Sequence, residues 1–598
     1  MRTLMGILGR DKTLPAANGP LPCLSDRCRT ASYRAAACRA ALRDIVILTA
    51  NTAAAVRAVM FQAAAVFSVT VWAASLPAHA DDTHTSGTPA PVFNLPLGLP
   101  TLLETRTTET LAPGLRHHRI VRRPHTNGAS GKDPDYTHEN CTHAWAAASP
   151  VLHTATDERT ALACVPGHFP ATDIRRFLTP GDPGRSYGIV YAGTFETRDV
   201  ALAAIARAPL AGCGFSAIHT ALTPHHAMGP WVVNVLEVDP RHFRGRLVSA
   251  LAGKTVAGPA PVTAIAADRR ALAAVNGGFF VTSEEDGVIG EPAGLSIVDS
   301  RVLSEATANR PALGIRNTPR LQAAIAVASA EPVLHWGDGR ESPIDGINRH
   351  PGIIRNCGNR GDREGRMPAH DKTCRDDDEI IVLTHDAGFD VPNGQDHRLL
   401  IGADGRLAPA APPAPGELLV IATGRHAAEV RALAAANDRA VINTDALLGD
   451  IFPDLWTAPA NRGAGSLYAV GGGPLLLKNG MRVHHEGIEG WHMDADMPAE
   501  RAMLVHRWFN IRTPRTAAGI TRDGRLLLVT VDGRQPGHSV GATIPEIRGM
   551  MKALGAVDAI NLDGGGSTAM VIGDTLVTRP SDSDGERPVG EALLLLPR

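Results

Sequence analysis

The sequence predicts an α+β protein, built from mixed β-sheets with few helices and preceded by a small βαβ-type unit. Three observations carry this expectation. Short apolar and β-branched runs recur from Trp231 to the end of the chain. Gly, Pro, Asp and Asn separate them, as turn residues separate strands; with 60 glycines and 44 prolines in 598 residues, the chain is rich in such breaks. Helical periodicity is confined to a few segments, and no solenoid period is present. The length calls for more than one domain. A net charge of -2 implies no polyelectrolyte partner and argues against nucleic acid as a substrate.

The first 80 residues read as a leader. Residues 1–55 show no sustained period. Arg57, an apolar run from Ala58 to Ala74, and Leu76-Pro77-Ala78-His79-Ala80 before Asp81 then give a charged region, an apolar region and an A-x-A cleavage site. The expectation is a secretory signal cut after Ala80 and an exported protein, periplasmic or extracellular. The run is slightly short for a bilayer span, so the mature chain should have no membrane span; an uncleaved anchor is the alternative. A translation start near Met60 or a little upstream would explain why the signal comes so late.

Of the 8 cysteines, Cys23, Cys28 and Cys38 fall in this leader. Cys357 and Cys374 flank a polar, strandless stretch of the kind a disulfide closes well. Cys141 with Cys164 is a second candidate bridge, which leaves Cys213 odd. No pair has zinc-finger spacing.

Residues 81–180 read as a linker followed by a weakly patterned segment. Residues 181–229 hold a compact unit. Its strand Tyr187–Tyr191 is followed by a helix capped by Thr197, with Val200, Ala201, Ala204 and Ile205 as apolar stripe, and by a strand Phe215–Thr220. This unit resembles a SPOR repeat, which implies peptidoglycan as a partner; a packing segment or pro-segment of the main domain is the alternative.

The main domain is expected over 230–598. Strands are predicted at 231–238, 271–276, 294–298, 323–327, 379–383, 418–421, 439–443, 468–470, 526–531, 559–562 and 569–572. One helix has a capping box, Thr543-Ile544-Pro545-Glu546, with Pro at its first position, an apolar face of Ile544, Ile547, Met550, Met551 and Leu554, and a stop at Gly555. A second is expected at 427–437.

Chemistry concentrates in five segments, each expected as a strand that ends in polar and glycine residues. They are Val275-Asn276-Gly277-Gly278-Phe279-Phe280, Tyr468 to Pro474 with Gly471-Gly472-Gly473, Arg515-Thr516-Ala517-Ala518-Gly519, Val529 to Gln535 with Asp532-Gly533-Arg534, and Asn561-Leu562-Asp563-Gly564-Gly565-Gly566-Ser567-Thr568. Three consecutive glycines pack nothing and suit close backbone approach, or amides that cradle an anion. Asp-Gly-Arg also occurs at Asp338, Asp404 and Asp523, and the Asp523 copy reads as a type I′ hairpin turn. Asp532 differs because Gln535-Pro536-Gly537-His538-Ser539 follows in place of a return strand.

The five segments in this order resemble the phosphodiester glycosidase family over roughly 230–598. The tail Arg579 to Leu593 also fits, apart from the extra Ser583-Asp584. The resemblance implies an exported hydrolase that removes the sugar from a sugar-1-phosphodiester in an extracellular or envelope glycoconjugate. Phosphate asks for planar cations and N–H donors, which Arg515, Arg534 and the glycine runs supply. The sugar asks for carboxylates around an oxocarbenium-like centre, and phosphate leaves readily enough that one to activate water could suffice. Asp532, Asp563 and Arg515 are therefore the expected catalytic residues, with Glu291 in reserve. Asn276, Gly277, Gly472, Thr516, Arg534, Gly564, Gly565, Gly566 and Ser567 are the expected substrate and phosphate contacts. No cofactor is certain. Asp376-Asp377-Asp378-Glu379 could hold a structural Ca²⁺, although such a run is more often a solvated edge. His484-His485-Glu486 lacks metal-binding spacing. An ordinary glycosidase, or a non-catalytic envelope-binding protein, are the alternative functions.

Overall fold

Strand pairing builds the central sheet of this protein from strands whose side chains alternate between two cores. The computed structural model describes residues 94–124 and 145–598, apart from 168, 170–172, 208, 329–330, 359–368, 393, 395, 457–464 and 485. The leader with its cleavage site after Ala80, Cys23, Cys28, Cys38, Cys141 and His485 lie outside the described residues.

An eight-stranded sheet runs in the order 103–112, 115–123, 231–238, 526–531, 515–521, 556–561, 475–478, 481–482. Its central strands alternate between two cores. Val233, Val235, Leu527, Val529, Val531, Ala517 and Ala559 enter one core, while Leu236, Val238, Leu526, Leu528, Ala518 and Ile560 enter another. A strand buried on both faces reads as a continuous apolar run, as Leu526–Val531 does. Against the second face packs a five-stranded sheet ordered 575–576, 570–572, 273–276, 591–596, 246–251, through Leu247, Val275, Met570, Leu593 and Leu595. Against the first face lie the helices Ala499–Asn510 and Ile544–Ala553. Thr543 caps the latter through both bonds of a capping box, as its sequence predicts.

Three differences from the sequence expectations concern the first half. The stretch expected as linker contributes the hairpin Leu103–Ala112 and Leu115–Arg123, whose second strand pairs with Trp231–Val238. The small unit has two more strands and one more helix than predicted: 145–148, helix 155–163, 173–179, 182–195, helix 198–205 and 216–219. Its sheet order, 173–179, 182–195, 145–148, 216–219, is that of a split βαβ arrangement. Thr197 caps its second helix by accepting the Val200 amide at 3.3 Å. Phe177, Tyr187, Ile189 and Tyr191 join the main core, and the Tyr187 hydroxyl bonds His506 Nδ1 at 2.9 Å and Asn510 Nδ2 at 2.8 Å. The unit therefore packs as part of one compact body, residues 91–598, which is the packing alternative; peptidoglycan gains no support. Finally, Cys164 pairs with Cys213, not with Cys141. The two cysteines follow the two helices of this small unit and share one apolar cluster, a proximity that chain order conceals. Cys357 pairs with Cys374, as predicted.

Among the described residues, 331–456 contribute three smaller sheets and the helix Gly424–Ala436, three residues longer at its start than expected. The Asp376 run does not converge. Glu379 pairs with buried Arg349 at 2.5 Å, Asp378 receives the Arg425 amide, and among the described residues no acidic or His/Cys cluster could hold a metal ion. At Asp523 the turn holds, but only Gly524 is left-handed, so it is not the type I′ turn, which needs positive φ at both centres. Among the described residues no helix is long and apolar enough to cross a membrane.

Replacing Thr543 with Ala leaves the amides of the first helical turn without their cap. The expected outcome is a loss of about 1 kcal/mol, read as a lower midpoint in urea with an unchanged slope.

Candidate active site

The strands Leu526–Val531 and Ala556–Asn561 end at the same edge of the large sheet where antiparallel Arg515–Thr521 begins. Three polar segments, 513–516, 532–535 and 561–568, are thus brought together by register alone. They open into a cavity of about 550 Å³ lined by Asp563, Gly564, Gly565, Gly566, Ser567, Arg515, Arg534 and Arg587, with Phe279, Phe280, Trp508, Arg355, Arg507, His370, Asp371 and Glu500 completing its wall.

Asp563 is half-buried on this wall. Burial by the surrounding protein raises the pKa of its carboxyl to about 6. Its Oδ1 accepts the Gly564 amide at 2.8 Å. Arg515 is almost fully buried, with its guanidinium carbon 4.9 Å from the centre of the Trp508 ring. Its Nε and Nη2 donate to the carbonyls of Ala542 and Trp508, which fixes the plane of the group in the cavity wall. Arg534 is exposed to the cavity and holds a left-handed backbone, φ 59°. Among the described residues its guanidinium has no hydrogen-bond or ion-pair partner. Arg587 is tied to Asp582 at 2.7 Å.

The glycines of the Asp563 loop make room for these cations. A Cβ on Gly565, which is left-handed, would lie 3.1 Å from Arg534 Nη2, and one on Gly566 would lie 2.1 Å from Asp582 Oδ2 and 2.3 Å from Arg587 Nη2. The expectation that the glycine runs donate their amides to phosphate does not hold for most of them. The Gly564 amide is taken by Asp563, the Gly565 amide by the Pro514 carbonyl, and those of Gly471, Gly472 and Gly473 by Leu295, Pro311 and Asn561. Gly472 lies inside the sheet interface, where a Cβ would meet the Asn561 carbonyl at 2.5 Å.

Asn276, Gly277 and Thr516 are likewise behind the cavity wall. The Asn276 amide donates to the Asp563 carbonyl at 2.8 Å, while its Oδ1 accepts the Thr516 hydroxyl at 2.7 Å and the Ala569 amide at 3.2 Å. Gly277 accepts the Asp563 amide and gives its own to Glu591. These groups position the Asp563 loop and do not line the cavity.

Asp532 is buried and does not line the cavity. Its Oδ2 meets His538 Nε2 at 2.8 Å and the Arg579 amide at 3.2 Å, and Gln535 holds the carbonyls of Arg579 and Pro580. Both residues tie the strand that ends at Val531 to the tail that carries Arg587. Glu291 lies elsewhere, buried, with its carboxyl raised to about 8 by burial and by neighbouring Glu305.

Sequence reasoning missed His370, Asp371, Trp508, Arg355 and Arg587. His370 and Asp371 sit in the segment that the Cys357–Cys374 disulfide ties back beside Arg355 and Asn356. Trp508 sits on the helix Ala499–Asn510, whose buried Ala502, Val505, His506 and Phe509 keep a helical period that could have revealed it.

Residues 401–596 match the family described as phosphodiester glycosidase. Mouse and cattle N-acetylglucosamine-1-phosphodiester alpha-N-acetylglucosaminidases are 38% identical over 76 residues and 40% over 77, each match covering 13% of this chain. The chain spans only 14% of the length of these relatives. The crystal structure of a Burkholderia pseudomallei K96243 protein, named for its expected export, superposes with a TM-score of 0.67 at 29% identity, covering 85% of this chain and 99% of that one. Asn276 and His370 lie outside the family-matched segment.

Two outcomes test this geometry. Gly566→Ala has no room for its methyl group without displacing the Asp582–Arg587 pair, so the variant should fold yet lose anion binding, read by calorimetric titration with inorganic phosphate. Asp563 binds a proton in the folded state between pH about 4 and about 6 that the unfolded chain has released. Its contribution is therefore fully present below that window and lost as pH rises through 6. Asp563→Asn should gain on the wild type in melting temperature as pH rises from 4.5 to 7.5.

Proposed function

We propose, with the phosphodiester glycosidase match of residues 401–596 as premise, that this chain is a hydrolase that cleaves the sugar from a sugar-1-phosphodiester. The observation that carries the reading is the cavity itself: a carboxyl of raised pKa beside Arg534, whose guanidinium has no partner among the described residues, and a rigidly held Arg515. A phosphodiester carries one negative charge, and guanidinium forks match its oxygens in pairs. An uncharged glycoside has no use for such cations.

In this reading the phosphate lies against Arg515 and Arg534, and the sugar extends toward Trp508. Asp563 is mostly ionised at neutral pH and takes a proton from water. The water oxygen bonds the anomeric carbon as the bond from that carbon to the phosphate oxygen breaks. The electron pair leaves on the phosphate as a phosphomonoester, and the guanidinium groups stabilise the charge that develops there. Asp532 acts through the tail loop, holding Arg534 and Arg587 in place. Asn276, Gly277, Gly472 and Thr516 hold the Asp563 loop.

Export also belongs to this proposal. Two disulfides suit an oxidising compartment, the A-x-A pattern before Asp81 suits a signal, and the superposing Burkholderia protein is named for the same location. A glycoconjugate of the envelope or the extracellular space is then the substrate class.

The test compares methyl N-acetyl-α-glucosaminyl phosphate, its glucosyl counterpart and the matching p-nitrophenyl glycosides. Cleavage of a phosphodiester without the plain glycoside is expected, with a rate that rises with pH through about 6. Asp563→Asn should lose at least about 100-fold and this acidic limb with it. Cleavage of the plain glycoside alone would make the protein an ordinary glycosidase and refute the assignment.

A further inference from the structure

His370 is held from two sides by one turn. Its backbone amide donates to the Gly490 carbonyl at 3.0 Å. Its Nδ1 lies 3.3 Å from Arg310 Nη2, and Arg310 Nε in turn donates to the Glu489 carbonyl at 2.9 Å. Gly490 has φ 116°, and a Cβ there would lie 2.7 Å from the His370 nitrogen, so the turn is shaped to this contact. The residue before it is anchored as well, the Ala369 amide donating to the Cys357 carbonyl at 2.8 Å beside the disulfide.

The Arg310 contact decides the tautomer. A guanidinium has donors and no acceptor, so Nδ1 must supply a lone pair. The single proton of the neutral ring then sits on Nε2. Burial keeps the ring neutral, reinforced by Arg310, Arg501, Arg355 and Arg515, which hold its pKa well below the ordinary histidine range. The next residue in the chain, Asp371, is bonded to Arg355. Among the described residues Nε2 has no hydrogen-bond partner, and His370 lines the cavity.

The ring is also part of an aromatic wall. Its centroid lies 4.7 Å from Phe279, 4.6 Å from Trp491 and 4.8 Å from Trp508, and Trp508 is half-buried on the cavity side. An aromatic surface with one fixed neutral donor suits a sugar, which offers C–H faces and oxygen acceptors. The cations Arg515 and Arg534 suit the phosphate.

We propose that His370 orients the sugar, donating its Nε2–H to a sugar oxygen, with buried Arg310 as the positioning residue that fixes this tautomer. The assignment rests on the sugar-1-phosphodiester reading for its ligand, but its tautomer can be tested apart from turnover.

The experiment uses the whole protein labelled with ¹⁵N in histidine. The His370 ring should show an unprotonated Nδ1 and a protonated Nε2 throughout pH 5.5–8, and Arg310→Met should replace this pattern with mixed tautomers. Methyl N-acetyl-α-glucosaminide, the sugar half alone, should shift the Nε2 signal, whereas inorganic phosphate should leave it nearly in place. His370→Phe, which keeps a ring and loses the donor, should bind the glycoside about 10-fold more weakly and phosphate unchanged. His370→Gln, which keeps an N–H, should recover part of the loss. A proton on Nδ1, an Nε2 signal that the glycoside does not move, or equal loss of glycoside and phosphate in His370→Phe would overturn the proposal. Absence of turnover with a correct tautomer and glycoside response would refute the reaction, not the sugar contact.

Discussion

The site depends on one buried amide. Asn276 stands at the end of the strand Ala273–Asn276 and is wholly buried. Its two polar atoms reach the Asp563 carbonyl, the Thr516 hydroxyl and the Ala569 amide, so one side chain joins segments from both sheets of the sandwich. A buried polar group left without its partners is costly, which makes this junction all-or-none. The Asp563 loop cannot shift without breaking it. The carboxyl on the cavity wall is therefore presented by the packed interface of two sheets, and its loop has little conformational freedom of its own.

The second constraint is steric. Guanidinium groups are large, and Arg534 and Arg587 approach a backbone that must carry no side chains there. The triple glycine follows from that approach. Arg534 takes a left-handed backbone conformation, uncommon for a residue with a side chain, and is held in it by the Asp532 and Gln535 contacts on either side. At Arg534 a left-handed backbone coincides with a guanidinium that has no partner among the described residues.

Much of this was legible in the sequence. The α+β class, fewer than half of the strands among the described residues, the capping box at Thr543 and the Cys357–Cys374 bridge follow from local patterns, as does the choice of Asp563, Arg515 and Arg534, which line one cavity. What local patterns cannot convey is which neighbour a small or polar residue serves. Glycine signals close approach without naming the approaching group, so Gly472 reads the same beside a ligand as beside the Asn561 carbonyl. Asn276, Gly277 and Thr516, expected as ligand contacts, stand behind the wall, and Asp532 serves the tail loop. Arg515 was read beside a strand end, whereas it begins its strand and reaches the common edge only through antiparallel pairing. His370 and Trp508 come from a disulfide-tied segment and a helix far apart in the chain, and only tertiary packing places their rings 4.8 Å apart. The Cys164–Cys213 pairing was hidden for the same reason.

The central claim is that one cavity receives phosphate on its arginines and sugar on its aromatic wall. The most direct measurement is a crystal structure of the Asp563→Asn protein with methyl N-acetyl-α-glucosaminyl phosphate. The account predicts phosphate oxygens on Arg515 and Arg534, with the anomeric carbon beside residue 563 and the sugar against Trp508 and His370. A diester bound outside this cavity, or bound within it with the sugar turned away from residue 563, would contradict the account.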